Sequence, residues 1–173
     1  AIITGADGGM GQEITLALAK DGFQTIMACK EPEKARPVCE RIKRESGNEQ
    51  IEIRGIDLSS LSSVYAFAQK ILAEGHPVSR LMNNAGVLTT NIRPTTDGLE
   101  TIVSVNYVGP YLLTRLLLPL MHEGTRIVNT VSCTYAIGKI ESDFFTKGKN
   151  GRFNRISVYG NTKLALLLFT REL

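Results

Sequence analysis

Short apolar runs alternate with longer amphipathic stretches along the whole chain. Each run has the length of a buried strand, and each longer stretch carries apolar residues at helical spacing. The predicted strands are residues 1–4, 23–29, 51–56, 80–84 and 125–131. The predicted helices are residues 12–20, 31–46, 61–73 and 97–121, followed by a last helix that starts at Ser157 or Val158. This alternation predicts right-handed crossover units and therefore a doubly wound α/β domain with a mainly parallel sheet.

The length of the chain predicts one domain. Its 173 residues suffice for a sizeable core, and we find no repeat, low-complexity segment or linker. The chain begins at Ala1 directly in a strand and stops at Leu173 inside a helical pattern. We therefore expect residues 1–173 to form a single domain that is truncated at both ends, with the C-terminal strands of the sheet missing.

Composition and charge exclude several classes of protein. Hydrophobic residues make up 43% of the chain and charged residues 21%, as is ordinary for a globular domain in water. The net charge of +3 is too small to indicate nucleic acid or an anionic membrane as a partner. The longest apolar run, from Tyr107 to Met121, is broken by Arg115 and Pro119, so it predicts a buried helix and not a membrane span. A membrane anchor outside the given chain stays open.

The cysteines and histidines show no ligand or disulfide spacing. The three cysteines are an odd set without a C-x-x-C pair, and His76 and His122 lie far apart. Neither a disulfide framework nor a metal site is predicted, and this usage suits the cytoplasm or another reducing compartment.

A glycine-rich turn links the first predicted strand to the first helix. Thr4-Gly5-Ala6-Asp7-Gly8-Gly9-Met10-Gly11 has the spacing Thr-Gly-x-x-x-Gly-x-Gly and not G-x-G-x-x-G. In a strand–loop–helix unit such glycines let the backbone approach a pyrophosphate at the helix N-terminus. The pattern favours a dinucleotide-binding Rossmann fold, and an ordinary glycine-rich turn is the alternative.

A tyrosine and a lysine lie four positions apart in Tyr159-Gly160-Asn161-Thr162-Lys163. In a helix the two side chains share one face. An ammonium group beside a phenol favours the phenolate, and such a phenol can donate a proton to an oxygen or accept one. The spacing is common by chance, so a packed tyrosine with a solvated lysine is the alternative.

Polar residues also follow the second and third predicted strands. The second strand ends in Cys29 and is followed by Lys30. In dinucleotide folds an acid near this point binds the ribose hydroxyls, whereas a basic residue accommodates a 2′-phosphate. Lys30 therefore favours NADP over NAD, with a solvated surface lysine as the alternative. Asp57 either caps the next helix or contacts a ligand.

Further polar residues come from the later elements. Asn83-Asn84-Ala85-Gly86 ends the fourth strand, and Ser132 ends the fifth. The carboxyl ends of parallel strands meet at the edge where open α/β sheets bind ligands. Asn106, inside a long helix, is either a satisfied core amide or the mark of a functional kink.

Together these motifs, in this order and near this spacing, resemble the short-chain dehydrogenase/reductase family over essentially the whole chain. The resemblance rests on the glycine-rich turn, Asp57-Leu58, Asn83-Asn84-Ala85-Gly86, Asn106, Ser132, Tyr159 and Lys163. Residues 26–30 and 159–173 are most similar to the branch that contains retinol dehydrogenases and related NADP-preferring reductases. In that branch an arginine is usual where Lys30 stands.

The resemblance implies an NAD(P)-dependent oxidoreductase that interconverts an alcohol and a ketone or aldehyde by hydride transfer. Tyr159 would be the general acid in reduction and the base in oxidation, and Ser132 would hydrogen-bond the substrate oxygen. Lys163 would hold the nicotinamide ribose, and Asn106 would hold a water in a proton relay. NADP(H), favoured over NAD(H), would be contacted by Gly5, Gly9, Met10, Gly11, Lys30, Asp57, Leu58, Asn83, Ala85, Gly86, Tyr159 and Lys163.

The branch also implies a partner and a substrate class. The substrate would be a small alcohol or carbonyl compound of retinoid, steroid or lipid type. Two copies would pair through the helices from Asp97 to Met121 and from Ser157 to Leu173. Cys133 departs from the family, which usually has a second serine there. Because fold alone does not fix function, a dinucleotide-binding sensor or interaction module without turnover is the alternative.

Overall fold

Five parallel strands form the sheet at the centre of the molecule. The computed structural model describes residues 1–142, 144–145 and 154–173. The strand order is β3-β2-β1-β4-β5. The strands are β1 (Ile2–Thr4), β2 (Thr25–Cys29), β3 (Ile51–Gly55), β4 (Arg80–Asn83) and β5 (Arg126–Asn129). The predicted doubly wound parallel sheet is confirmed, and the carboxyl ends of its strands lie at one edge.

Helices connect the strands and cover the sheet. They are α1 (Gly9–Lys20), α2 (Pro32–Ser46), α3 (Leu61–Glu74), α4 (Thr101–Val103), α5 (Gly109–Leu117) and α6 (Arg155–Glu172). Gly47 and Gly75 end α2 and α3 in the left-handed conformation, which glycine adopts without strain. No helix in the described part of the chain is long and apolar enough to cross a membrane.

The helix predicted from Asp97 to Met121 is shorter and is interrupted. It begins at Thr101 because the side chain of Glu100 accepts hydrogen bonds from the first free N–H groups, those of Ile102 and Val103. A π-helical segment, Ser104–Val108, separates α4 from α5, and a 3₁₀ turn, Leu118–Leu120, follows α5.

The segment before the last helix also differs from the prediction. Residues 134–155 were predicted as an irregular loop, but a 3₁₀ turn spans Cys133–Ile137. Residues 143 and 146–153 of that predicted loop lie outside the described residues. Helix α6 starts earlier than Ser157, at Arg155, because the Asn154 side chain accepts hydrogen bonds from the N–H groups of Ile156 and Ser157.

Two apolar clusters hold the sheet between its helices. Alternate residues of a strand face opposite sides of a sheet. Accordingly, Ile2 and Leu81 pack with α3 and α5, whereas Ile3 and Met27 pack with α1 and α2. A buried leucine or isoleucine contributes about 1.5–3 kcal/mol to folding. This core fixes the strand ends that carry the candidate site.

Candidate active site

A cleft of about 410 Å³ opens at the carboxyl edge of the sheet. It runs between the glycine-rich turn, the ends of β2 and β3, and the segment after β4. Most of the predicted cofactor residues line it: Gly5, Gly9, Met10, Gly11, Lys30, Asp57, Leu58, Ala85 and Gly86. The glycine-rich turn, Lys30, Asp57-Leu58 and Ala85-Gly86 therefore meet at one place.

The glycine-rich turn is closely packed at Gly11 and open towards the cleft at Gly9. A Cβ on Gly11 would overlap the carbonyl oxygen of Gly5, so only glycine lets α1 pack this closely. A Cβ on Gly9 would meet no atom within 4 Å, because Gly9 faces the cleft. Helix α1 begins at Gly9 and has no acidic residue in its first turn. Its free N–H groups and open space fit a pyrophosphate.

Thr4 fastens the end of β1 to the segment after β4. Its hydroxyl oxygen accepts hydrogen bonds from the backbone N–H groups of Asn84 and Ala85, at 3.0 and 3.1 Å. The Asn84 amide donates to the carbonyl oxygen of Thr4 at 3.1 Å. Gly5 has φ +61°, and its Cβ position lies 3.1 Å from Ala85 Cα. These contacts set the floor of the cleft.

Lys30 and Asp57 form an ion pair at the rim. Lys30 Nζ lies 3.0 Å from Asp57 Oδ2, and the Lys30 side chain is 66% exposed. Partial burial by itself raises the pKa of Asp57, but hydrogen bonds from Ser59 and Lys30 lower it more, so the net pKa is below its usual value. Lys30 can reach a ligand at the rim, but its positive charge is paired with the Asp57 carboxylate.

Lys163 is a buried cation beside Tyr159. Lys163 is 2% exposed, and its Nζ lies 5.5 Å from the centroid of the Tyr159 ring. Nζ donates to the carbonyl oxygen of Thr130 at 2.7 Å, the one hydrogen bond found for it among the described residues. Burial lowers the pKa of Lys163. Because an ammonium has three N–H donors, Lys163 has donors left for hydroxyls of a ligand.

Asn106 clamps the segment after β4 against α6. Its Oδ1 accepts from the N–H of Val87 at 2.8 Å, and its Nδ2 donates to the Val87 carbonyl oxygen at 2.9 Å and to Thr162 Oγ1 at 3.4 Å. The Cβ position of Gly86 lies 3.6 Å from both Asn106 Oδ1 and Lys163 Nζ. Asn106 is thus a satisfied buried amide that also lies in the π-helical segment, a distortion frequent at functional sites.

The turn that carries Ser132 packs directly on α6. A Cβ on Gly138 would lie 2.5 Å from the carbonyl oxygen of Gly160, and one on Gly160 would lie 2.7 Å from that of Thr134. Ser132 Oγ accepts a hydrogen bond from Thr134 Oγ1 at 3.1 Å. Ser132 and Tyr159 are both half-buried. Two elements in contact therefore carry Ser132 and Tyr159.

Five predicted site residues do not line the cleft: Asn106, Ser132, Tyr159, Lys163 and Asn83. Asn83 is the one of them at the end of β4. It is 1% exposed, and its Nδ2 donates to Thr114 Oγ1 at 3.0 Å and to Asn129 Oδ1 at 2.8 Å. Its side chain holds β4 to β5 and α5. Asn84 and Asp7 line the cleft instead, although neither was among the predicted contacts. Both lie within motifs named in the sequence analysis, so their place in those motifs could have indicated that they line the cleft.

The chain is similar to known proteins over its whole length. A family model described as short chain dehydrogenase matches residues 1–173. Retinol dehydrogenase 12 of Mus musculus is 41% identical over 174 residues, which cover 99% of this chain and 54% of the relative. Retinol dehydrogenase 11 of Homo sapiens is 38% identical over 174 residues, with 99% and 54% covered. The chain spans about half the length of the curated relatives it matches.

A solved structure has the same fold with a cofactor in place. It is a metagenomic short-chain oxidoreductase in complex with NADP, which superposes with a TM-score of 0.74 at 27% identity. The match covers 99% of this chain and 73% of that one.

Proposed function

Because the chain belongs to the short-chain dehydrogenase family, we propose that it is a nicotinamide-dinucleotide-dependent oxidoreductase that interconverts an alcohol and a ketone or aldehyde. The observation that carries this proposal is the buried Lys163 beside Tyr159, with Asn106 and Gly86 at the same point. A lysine buried without a carboxylate partner in the described part of the chain is unfavourable for folding alone. Lys163 Nζ lies 3.6 Å from the Cβ position of Gly86, which lines the cleft. A perturbed group beside a cleft is a candidate for function.

The cofactor would lie along the carboxyl edge of the sheet. Its pyrophosphate would lie against the N-terminus of α1, next to Gly9, Met10 and Gly11. Asp57 and Leu58 would border the adenine, and Ala85 and Gly86 would lie along the cofactor towards the nicotinamide. The free donors of Lys163 would hold the hydroxyls of the nicotinamide ribose.

The protein would supply position and a proton. When bound, the nicotinamide cofactor supplies the hydride for reduction or accepts it in oxidation. In reduction Tyr159 would donate its phenolic proton to the carbonyl oxygen, and in oxidation it would accept the alcohol proton. The Ser132 hydroxyl would donate a hydrogen bond to the same oxygen. Asn106 would hold a water that returns the proton to Tyr159.

We infer a preference for NADP(H) from Lys30. The residue stands just after β2, where a basic side chain accommodates a 2′-phosphate. Titration of the purified chain with NADPH and with NADH, followed by nicotinamide fluorescence, tests both the cofactor and its selection. NADPH is expected to bind more tightly, and Lys30→Asp is expected to shift the affinity ratio towards NADH.

Two outcomes of that titration would contradict the account. If neither nucleotide binds, the dinucleotide-dependent function fails. If both bind and Lys30→Asp leaves their affinity ratio unchanged, Lys30 does not face the 2′-phosphate.

We propose a lipophilic alcohol or carbonyl substrate and pairing of two copies through α5 and α6. The retinol dehydrogenases among the relatives support the substrate class. An apolar groove of about 350 Å³ supports the pairing, since Tyr111 on α5 and Leu168 on α6 are 40% and 43% exposed there. Light scattering on the purified chain is expected to give the mass of a dimer, and a monomer at high concentration would contradict the pairing.

We also infer a reducing compartment, which the three free cysteines support. The non-catalytic alternative has no support among the relatives, which are named as dehydrogenases.

A further inference from the structure

An acidic residue faces the proposed cofactor cleft from inside the glycine-rich turn. Asp7 lines the cleft together with Lys30 and Asp57. Its backbone is held in place, because Gln12 Nε2 donates to the Asp7 carbonyl oxygen at 2.7 Å and Arg41 in turn donates to Gln12 at 2.8 Å. These bonds hold the backbone of Asp7 at the edge of the cleft.

Asp7 reaches the end of β2. It lines the cleft together with Ala28 and Lys30, the two residues on either side of Cys29, the last residue of β2. Cys29 is 0% exposed, and burial and then the charge of the Asp7 carboxylate raise the pKa of its thiol. The end of this strand is where dinucleotide folds place the acid that binds ribose hydroxyls. This chain has a cysteine there, and the glycine-rich turn brings Asp7 to the same place.

The net charge of the side chains around this part of the cleft is not positive. Lys30 provides one positive charge, but Asp57 is 3.0 Å from it and Asp7 adds a second carboxylate. A phosphate monoester carries a charge of about −1.5 to −2 at neutral pH. A ribose diol carries no charge and offers two O–H donors, which a carboxylate accepts well.

We propose that Asp7 accepts a hydrogen bond from a hydroxyl of the adenosine ribose and opposes a 2′-phosphate, so that the cleft uses both NADH and NADPH. Asp7 thereby limits the preference for NADP(H) that Lys30 gives. This inference rests on the proposed dinucleotide-dependent function, and it adds a residue that determines cofactor specificity.

Asp7→Asn tests the inference, because it removes the charge and keeps the shape. Affinities for NADPH and NADH are measured by nicotinamide fluorescence. The variant is expected to raise the NADPH:NADH affinity ratio about tenfold, mainly through tighter NADPH binding, as one charge facing another across a partly solvated cleft predicts. Asp7→Ser, which keeps a short polar side chain, is expected to shift the ratio in the same direction.

Glu31→Gln is the matched control. Glu31 adjoins Lys30 in sequence, but its carboxylate pairs with Lys34 at 2.5 Å and it is not among the described residues that line the cleft. Removing this charge is expected to leave the ratio within about twofold, because exposed surface charges are strongly screened.

The outcomes separate this inference from the proposed function. If the wild type binds neither nucleotide, both the proposed function and the role of Asp7 are contradicted. Binding of both, with an unchanged ratio in Asp7→Asn, defeats only the role of Asp7. If the Asp7 variants do not fold, the affinity ratio of the wild type decides: a ratio within about tenfold supports dual use, and a larger ratio in either direction contradicts it.

Discussion

Single residues carry the chemistry, and Lys163 shows this most clearly. It is 2% exposed and donates to the Thr130 carbonyl oxygen, without a carboxylate partner among the residues that the structure describes. Burial of an ammonium group that is not paired with a charge lowers stability unless the group is neutralised. We infer that Lys163 is retained for the ligand it would hold and not for the fold.

Lys163→Met is expected to weaken cofactor binding while leaving the fold as stable or more so. The apolar side chain has a similar shape and avoids the desolvation of an ammonium. NADPH affinity is expected to fall by about tenfold or more, since the donors to the ribose are lost. Fluorescence titration and thermal unfolding of the same preparations measure the two effects.

The pH dependence of stability gives a second readout for this variant. Burial lowers the pKa of Lys163 in the folded state, so between that pKa and the value of 10.5 the unfolded chain binds more protons than the folded one. The Lys163 contribution to stability therefore rises with pH in that window. As the pH is raised, the free energy of unfolding of the wild type should therefore increase relative to that of Lys163→Met. A constant difference between the two unfolding midpoints would contradict a lowered pKa.

Residue roles were only partly predictable from sequence. Asn83 and Asn84 are adjacent and chemically alike, but only Asn84 lines the cleft, because successive residues at a strand end point in opposite directions. The role of Thr130 was not predictable, because its backbone carbonyl oxygen binds Lys163 and a carbonyl carries no side-chain signal. The position of Asp7 was not predictable either, because it depends on how the glycine-rich turn folds back towards the end of β2.

At the scale of elements, the glycine-rich turn serves two purposes with different residues. Gly11 permits the close packing of α1 on the turn, whereas Gly9 leaves space in the cleft. The sequence motif predicts the turn but does not separate these purposes. The separation gives a matched pair of substitutions.

Gly11→Ala is expected to destabilise the fold, and Gly9→Ala is not. The added methyl group of Gly11→Ala overlaps the Gly5 carbonyl oxygen, and overpacking of this kind lowers the free energy of unfolding by about 1–3 kcal/mol. Gly9→Ala meets no protein atom within 4 Å, so its unfolding free energy should stay within about 0.5 kcal/mol or increase slightly.

Cofactor affinity separates the two variants further. In Gly9→Ala the methyl group enters the space proposed for the pyrophosphate, so NADPH affinity should fall although the fold is intact. Denaturant unfolding and fluorescence titration give the two quantities. A Gly9→Ala variant with wild-type affinity would place the pyrophosphate elsewhere.

Element bounds were predicted where local signals set them and missed where tertiary contacts do. Glycines that end α2 and α3 are visible in sequence. The start of α4 at Thr101 depends on the buried carboxylate of Glu100, which is 3% exposed. The π-helical segment Ser104–Val108 lies where Asn106 bonds to Val87 and Ser104 to the Leu58 carbonyl oxygen, contacts between distant parts of the chain.

At the scale of the whole molecule, elements from both halves of the chain meet at one edge of the sheet. The glycine-rich turn follows β1, and the Tyr159–Lys163 pair lies on α6 near the other end of the sequence. Asn106 forms hydrogen bonds with Val87, in the segment after β4, and with Thr162 on α6, and so connects that segment to α6. The parallel order of strands was predictable from the alternation of elements, and it accounts for this convergence.

We infer that Tyr159 transfers the proton in an alcohol–carbonyl interconversion. The most direct test compares carbonyl-dependent NADPH oxidation by wild type and Tyr159→Phe, with retinal and a panel of ketones and aldehydes as substrates. Tyr65→Phe, at a tyrosine of α3 that is 53% exposed, is the matched control. Turnover by Tyr159→Phe is expected to fall about 10²–10⁴-fold with NADPH affinity nearly unchanged, while Tyr65→Phe behaves as wild type. Turnover by Tyr159→Phe at the wild-type rate would contradict this inference.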